Sequence, residues 1–263
     1  RTLKGWTGVK ELDGMKIEGN CLSHQVVLNE AKSDENQLQL LNQWLKSYNF
    51  NELFDPEMGF GDYVKDIIPS DPALRLGQNK YAHGGDTVYE PLSLPDPKDY
   101  MEDATVPGTI GSSSMIRVGL YLEEVFRRNE DKKNFRFMSP DETYSNKLDR
   151  IFNATSRAWQ WPVKEWDKDL SRDGRVMEML SEHNMQGLMQ GYVLTGGHAM
   201  FASYEAFVQV VASMMDQYAK FLKHAREIEW RGDISSLNYI LTSSGWRQDH
   251  NGFSHQNPGF VDE

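Results

Sequence analysis

Residues 175–207, RVMEMLSEHNMQGLMQGYVLTGGHAMFASYEAF, read as a strand, a helix and a second short strand in immediate succession. From Arg175 to Leu180 polar and apolar residues alternate as in a half-buried strand, with Val176, Glu178 and Leu180 on one face and Met177 and Met179 on the other. Ser181 is a good N-cap, and Met185, Leu188, Met189 and Val193 recur at helical spacing until Gly196-Gly197 stops the run. Glu182 therefore falls in the first helical turn at the carboxyl end of a strand, where open α/β sheets place their ligands. Spacing alone favours the simpler role for Glu182 of complementing the helix dipole.

The alternation continues on both sides. Met115, Val118, Leu122, Val125 and Phe126 predict a helix over Ser113–Glu130, closed by the basic pair Arg127-Arg128. Asn134–Met138 is a short strand with a turn at Ser139–Thr143, and Asp149–Asp173 reads as a helix followed by a tryptophan-rich connection. Its Trp159, Trp161 and Trp166 suit burial at a subunit face. Ala199–Ala202 is a further strand, and Phe207, Val210, Val211, Met214, Met215, Tyr218 and Phe221 predict a long buried helix over Tyr204–Ala225. Behind the turn Arg231-Gly232-Asp233, Ile234–Ser243 reads as a buried strand. Strand and helix alternating at crossover lengths require a parallel sheet, so the expected fold is α/β with a doubly wound, mainly parallel sheet.

Residues 107–263 carry that pattern, incomplete at its C-terminus, and residues 1–106 form an irregular segment ahead of it. There, Leu38, Leu41, Trp44 and Leu45 predict one amphipathic helix within Asn29–Tyr48, capped by Ser33 or Asp34. Asn51–Tyr100 is rich in Pro, Gly and Asp, with short helical candidates at Asn51–Phe54 and Gly61–Ile67, and reads as a linker laid over another surface. Its paired Gly84-Gly85 suits close backbone approach, and His83 beside it reads as structural.

A formal net charge of −11 over 263 residues disfavours phosphate-backbone binding, so nucleic acid is not an expected partner. No apolar run approaches the roughly 20 residues of a membrane helix, and a membrane is not expected either. The lone Cys21 cannot form an internal disulfide and reads as a structural thiol in a reducing cytoplasm. Arg1 at the start and Phe260-Val261-Asp262-Glu263 at the end read as cut ends of a longer chain.

Gly245–Gln256, GWRQDHNGFSHQ, follows the last strand and gathers two histidines, an arginine and two amides. His250 and His255 are five apart across an Asn251-Gly252 turn, a spacing that fits helical metal pairs poorly and proton transfer near neutral pH well.

WRQDHNGFSHQNPGF resembles the corresponding loop of thiamine-diphosphate-dependent phosphoketolases, and the string Arg175–Phe207 resembles their segment carrying the glutamate paired with the cofactor's aminopyrimidine ring, which matches Glu182. The likeness runs from about Lys4 through Phe260 and includes Lys4-Gly5-Trp6, Ser23–Val26 and SPDETYSNKL from Ser139. It implies the end of the family's first domain plus linker over 1–106, and the pyrimidine-binding domain over 107–263. It also implies Glu182 and Tyr204 as cofactor-binding residues, with Glu182, His24, His250 and His255 as the catalytic set. Lys4, Gln25, Ser145, Lys147, Tyr204, Gln248, His250 and Asn251 would hold sugar phosphate or inorganic phosphate. No residue of this segment is expected to bind Mg2+, whose ligands, with those of the diphosphate, are expected outside it. The partners implied are a ketose phosphate, inorganic phosphate and a second subunit, in a homodimer or larger assembly with the active site between subunits. The implied reaction converts xylulose 5-phosphate or fructose 6-phosphate to acetyl phosphate; transketolase-like transfer and a non-catalytic assembly domain are the alternatives. Ser139 stands where the family commonly has Gly, Lys147 where it has Arg, and Gly197 where it often has Arg.

Overall fold

The computed structural model describes residues 8–17, 21–24, 27–103, 105–140, 143–242 and 252–262. Packing divides the chain into a unit ending at Asp71 and a unit beginning at Pro72.

In the first unit the hairpin Glu11–Leu12 and Met15–Lys16 turns through Asp13 and Gly14, both at positive φ. Helix α1, Glu35–Lys46, starts at Asp34, whose carboxylate accepts from the Gln37 N–H at 2.9 Å. Its packed face differs from the expected one: Leu38 and Leu45 are exposed, whereas Gln37, Leu40 and Trp44 turn inward. The amide of Gln37 accepts from the Glu30 N–H at 3.0 Å, which lets a polar residue join the buried line, and Gly8 lies directly against the Trp44 ring. Val9, Ile17 and Val27 complete this small core. A second hairpin, Phe54–Asp55 with Gly59–Phe60, precedes the expected short helix at Asp62–Ile67.

The described residues of the second unit build one six-stranded, wholly parallel sheet. Its strands are β1 (Phe135–Ser139), β2 (Arg157–Ala158), β3 (Leu170–Ser171), β4 (Val176–Glu178), β5 (His198–Tyr204) and β6 (Leu237–Thr242), in spatial order β6-β5-β1-β4-β2-β3. Side chains alternate across it. Met138, Ala199 and Phe201 join the core beneath α3 (Glu182–Leu194). Phe135, Phe137, Val176 and Ala202 join the opposite core against α2 (Ser114–Arg128). Both helices start where expected: the hydroxyls of Ser113 and Ser181 accept from the N–H groups of Ile116 and Asn184.

Three expectations fail here. Instead of a helix opening Asp149–Asp173, the chain makes a single 3-10 turn, Asp149–Asn153, followed by the two-residue strands β2 and β3. The long helix over Tyr204–Ala225 is divided into α4 (Glu205–Val208), a 3-10 turn at Gln209–Val211 and α5 (Ala212–Ala225). Tyr204 still pairs in register with Thr242, so no helix begins before Glu205, and the β-branched run Val208, Val210, Val211 sits at the break. The tighter turn rotates the buried face: Val208, Val211 and Tyr218 are buried while Val210 and Phe221 are exposed. Finally, β6 lies at an edge of the sheet formed by the described residues and is only half-buried for most of its length.

The Gly84-Gly85 pair behaves as expected. Both have positive φ, and a Cβ on Gly85 would lie 2.8 Å from the Gly232 Cα. His83 is structural, with its ring 5.0 Å from that of Trp230 and its Nε2 3.1 Å from the Gly77 carbonyl oxygen.

Candidate functional site

The carboxyl ends of β1, β4, β5 and β6 bring Ser139, Glu178, Tyr204 and Thr242 to one edge of the sheet. After β4 the order switches sides, since the chain passes over β1 by way of α3 to reach β5. Crevices of α/β sheets form at such a crossing.

Glu182 is the first residue of α3, half-buried at this edge. Met185, Met189 and Val193 anchor the helix in the core, and the Gln186 amide oxygen accepts from the Tyr239 hydroxyl at 2.7 Å. Burial pushes the Tyr239 hydroxyl up to about 12. The helix bearing Glu182 is thereby tied to β6.

His255 and Tyr204, both named from the sequence, meet in the structure. Their rings stand edge to face with centroids 4.8 Å apart, and Phe207 meets the same imidazole at 4.8 Å. The Ser254 hydroxyl is 2.9 Å from His255 Nδ1. Glu205, buried beside Tyr204, accepts from the Asn257 N–H at 3.1 Å and fixes the segment that carries His255. Glu205 and Asn257 were not singled out from the sequence; an acid in the first turn of the helix expected from Tyr204 was the available signal.

Ser145 and Lys147 sit on the turn after β1, closed by Lys147 N–H donating to the Tyr144 carbonyl and Leu148 N–H to that of Thr143, each at 3.0 Å. Ser145 is half-buried, and Lys147 is exposed with a φ of +61°. Two neighbours escaped the sequence reading. Buried Asn146 accepts from the Thr242 hydroxyl at 2.5 Å, and Glu178 pairs with Arg157 while accepting from the Thr143 N–H at 3.4 Å.

Lys4, Gln25, Gln248, His250 and Asn251 lie outside the described residues. His24 ends the 3-10 turn Cys21–His24 in the first unit. Gly197 precedes β5 at the amino edge of the sheet, opposite the carboxyl-edge residues, and a Cβ there would meet the Tyr192 ring at 2.4 Å. An arginine at 197 would require that ring to move, and its charge would start from the far edge. A cavity of about 920 Å³ also opens at the amino edge, between Tyr89, His198, Arg226, Arg231 and Ser235. Among the described residues, no three His, Cys, Asp or Glu side chains converge as a metal site, and no helix is long and apolar enough to cross a membrane.

Known proteins are similar to this chain along its whole length. A family model described as D-xylulose 5-phosphate/D-fructose 6-phosphate phosphoketolase matches residues 116–263, and one described as XFP N-terminal domain matches residues 1–87. A protein of Gloeobacter violaceus named probable phosphoketolase is 47% identical over 262 residues, covering 100% of this chain and 33% of that protein. Proteins of the same name from Rhodopseudomonas palustris strain BisB5 and Nitrosospira multiformis are each 48% identical over 262 residues, and the chain covers 33% and 32% of them. The chain therefore spans about a third of the length of these curated relatives.

Proposed function

Because the chain belongs to the D-xylulose 5-phosphate/D-fructose 6-phosphate phosphoketolase family, we propose that it forms the pyrimidine-side half of a phosphoketolase active site. Residues 1–106 would end the first domain and supply the linker, and 107–263 would form the early part of the pyrimidine-binding domain, incomplete at its C-terminus. The parent enzyme would convert xylulose 5-phosphate and inorganic phosphate to acetyl phosphate, glyceraldehyde 3-phosphate and water, with erythrose 4-phosphate as the second product from fructose 6-phosphate. It would work in the cytoplasm as a homodimer or larger assembly.

The side chains at the carboxyl edge fit an aminopyrimidine ring: a half-buried carboxylate at a helix start and, on the same edge, the aromatic pair Tyr204 and Phe207. Thiamine diphosphate, when bound, would supply the stabilised carbanion on which the carbon–carbon cleavage depends. Its diphosphate and Mg2+ would be held by residues beyond this segment. Glu182 would hold a proton against the ring nitrogen. His255, held by Tyr204, Phe207 and Ser254, would give a proton to the departing hydroxyl during loss of water, with His24 and His250 as further proton carriers. Ser145 and Lys147 would bind the phosphate of the ketose through hydrogen bonds and charge, together with Lys4, Gln25, Tyr204, Gln248, His250 and Asn251.

The observation that supports this most directly is that Glu182, the Tyr204–His255 pair and the Ser145–Lys147 turn all lie along one edge of the parallel sheet. The test is Glu182→Gln in the full-length protein, with cofactor affinity measured by calorimetry and acetyl phosphate measured without any acceptor aldose. Loss of turnover with folding intact is expected; unchanged turnover would remove Glu182 from the mechanism. Product formed only when an aldose is added would instead identify two-carbon transfer.

A further inference from the structure

The carboxylate of Glu178 sits in an expensive place. It ends β4 with its side chain 5% exposed, and a buried carboxylate is tolerated only when paired and hydrogen-bonded. One oxygen pairs with Arg157 Nε, and the other accepts from the Thr143 N–H at 3.4 Å, at the head of the turn that presents Ser145 and Lys147. Arg157 is itself held on several sides. Its guanidinium lies 4.2 Å from the Phe152 ring centroid and 5.3 Å from that of Tyr144, with Nη1 3.9 Å from Asp169 Oδ2. Tyr144 closes the circuit by stacking on Phe152 at 5.3 Å and donating its hydroxyl to Asp169 Oδ2 at 2.7 Å. Across the turn, Asn146 is bonded to Thr242.

We propose that Glu178 is a positioning residue for the ketose-phosphate site: through Arg157 and the Thr143 N–H it fixes the turn on which Ser145 and Lys147 stand. This rests on the reading of that turn as phosphate-binding. The geometry favours it over a purely structural role, because an apolar pair of similar volume would hold a short edge region at least as well as a buried ion pair. The buried charges are spent on the turn: each polar group of the circuit ends on Thr143 or Tyr144, or on a side chain that packs against them.

The test uses full-length enzyme and initial rates with xylulose 5-phosphate for Glu178→Gln, Lys147→Met and the double variant. Glu178→Gln keeps the volume and removes the charge. KM is expected to rise on the order of tenfold with kcat within about twofold, the signature of lost uniform binding. Lys147→Met should raise KM as well, and the double variant should fall short of the product of the two effects because both act through one turn. A raised KM in Lys147→Met beside an unchanged KM in Glu178→Gln overturns the positioning role and leaves the turn's reading intact. An unchanged KM in Lys147→Met overturns the reading of the turn, and the positioning role with it. If Glu178→Gln does not fold, Tyr144→Phe serves instead, since Tyr144 is half-exposed and loses only its hydroxyl, which bonds Asp169 and Arg157; KM should rise about threefold, and no change overturns the proposal.

Discussion

The hydroxyl of Thr242, the last residue of β6, donates to Asn146 Oδ1 at 2.5 Å across 96 positions of sequence, and both residues are buried. The same hydroxyl is 3.3 Å from the Ser203 carbonyl oxygen. One side chain thus joins the turn after β1 to the ends of β5 and β6. Thr242→Val preserves the shape and leaves the Asn146 amide without this donor, so a loss of about 1–3 kcal/mol is expected. Urea unfolding of the full-length protein measures it; a change under half of that range would mean the amide finds another partner.

Arg175 is buried at the foot of β4, where its guanidinium donates to the carbonyls of Asn129 at 3.2 Å and Phe126 at 3.1 Å and pairs with Glu130. It also lies over the Phe126 ring at 4.9 Å. These carbonyls end α2, so the arginine caps that helix and locks it against the sheet. Burial pulls the guanidinium below its usual range, with the Glu130 carboxylate working the other way. Arg175→Met should cost about 2–4 kcal/mol, since two buried carbonyls lose their donor. Glu130→Gln should cost under about 1 kcal/mol because that carboxylate is half-exposed. Thermal unfolding of the two variants would show the ordering, and equal losses would refute it.

Burial pushes the hydroxyls of both Tyr218 and Tyr239 from 10.0 up to about 12. In the unfolded chain they ionise near 10, so between the two values the unfolded state binds fewer protons than the native state and stability falls as pH rises. The contribution is full below pH 10 and is lost on the way to about 12. Tyr239→Phe should flatten that alkaline slope. At pH 8 it should cost about 1 kcal/mol through the lost bond to Gln186. Denaturation midpoints measured from pH 8 to 12 would detect both effects, and a slope matching wild type would assign the alkaline loss elsewhere.

The elements read correctly from sequence are those governed by local rules. Ser113, Ser181 and Asp34 cap their helices, and the strand at Val176–Glu178 runs into α3 through Ser181. Failures arise where distant contacts decide. Tyr204 reads as a helix start because an apolar helical period follows it, yet pairing with Thr242 keeps it in the sheet. Leu38 looks buried beside Leu41, but Gln37 turns inward instead, its amide oxygen accepting from the Glu30 N–H ahead of the helix. At the candidate site, Glu182, Tyr204 and His255 came from a resemblance carried by short strings. The Arg157–Glu178 and Asn146–Thr242 pairs span 21 and 96 residues, which no local period reveals.

Tyr204 sets the placement of His255 through its ring rather than its hydroxyl. Its ring is 4% exposed and stands against both His255 and Phe207, so the aromatic edge is the feature that sets the imidazole. Aromatic pairs contribute about 0.5–1.5 kcal/mol beyond area burial, which corresponds to a loss of roughly two- to tenfold in the fraction of His255 correctly placed. Tyr204→Phe keeps that edge and Tyr204→Leu removes it. In the full-length enzyme, Phe should raise KM through the lost phosphate contact but retain kcat for acetyl phosphate release within about twofold, while Leu should lose roughly five- to tenfold in kcat. If the hydroxyl were the working group, both substitutions would be equally damaging. That outcome would give the hydroxyl a part in turnover beyond its phosphate contact.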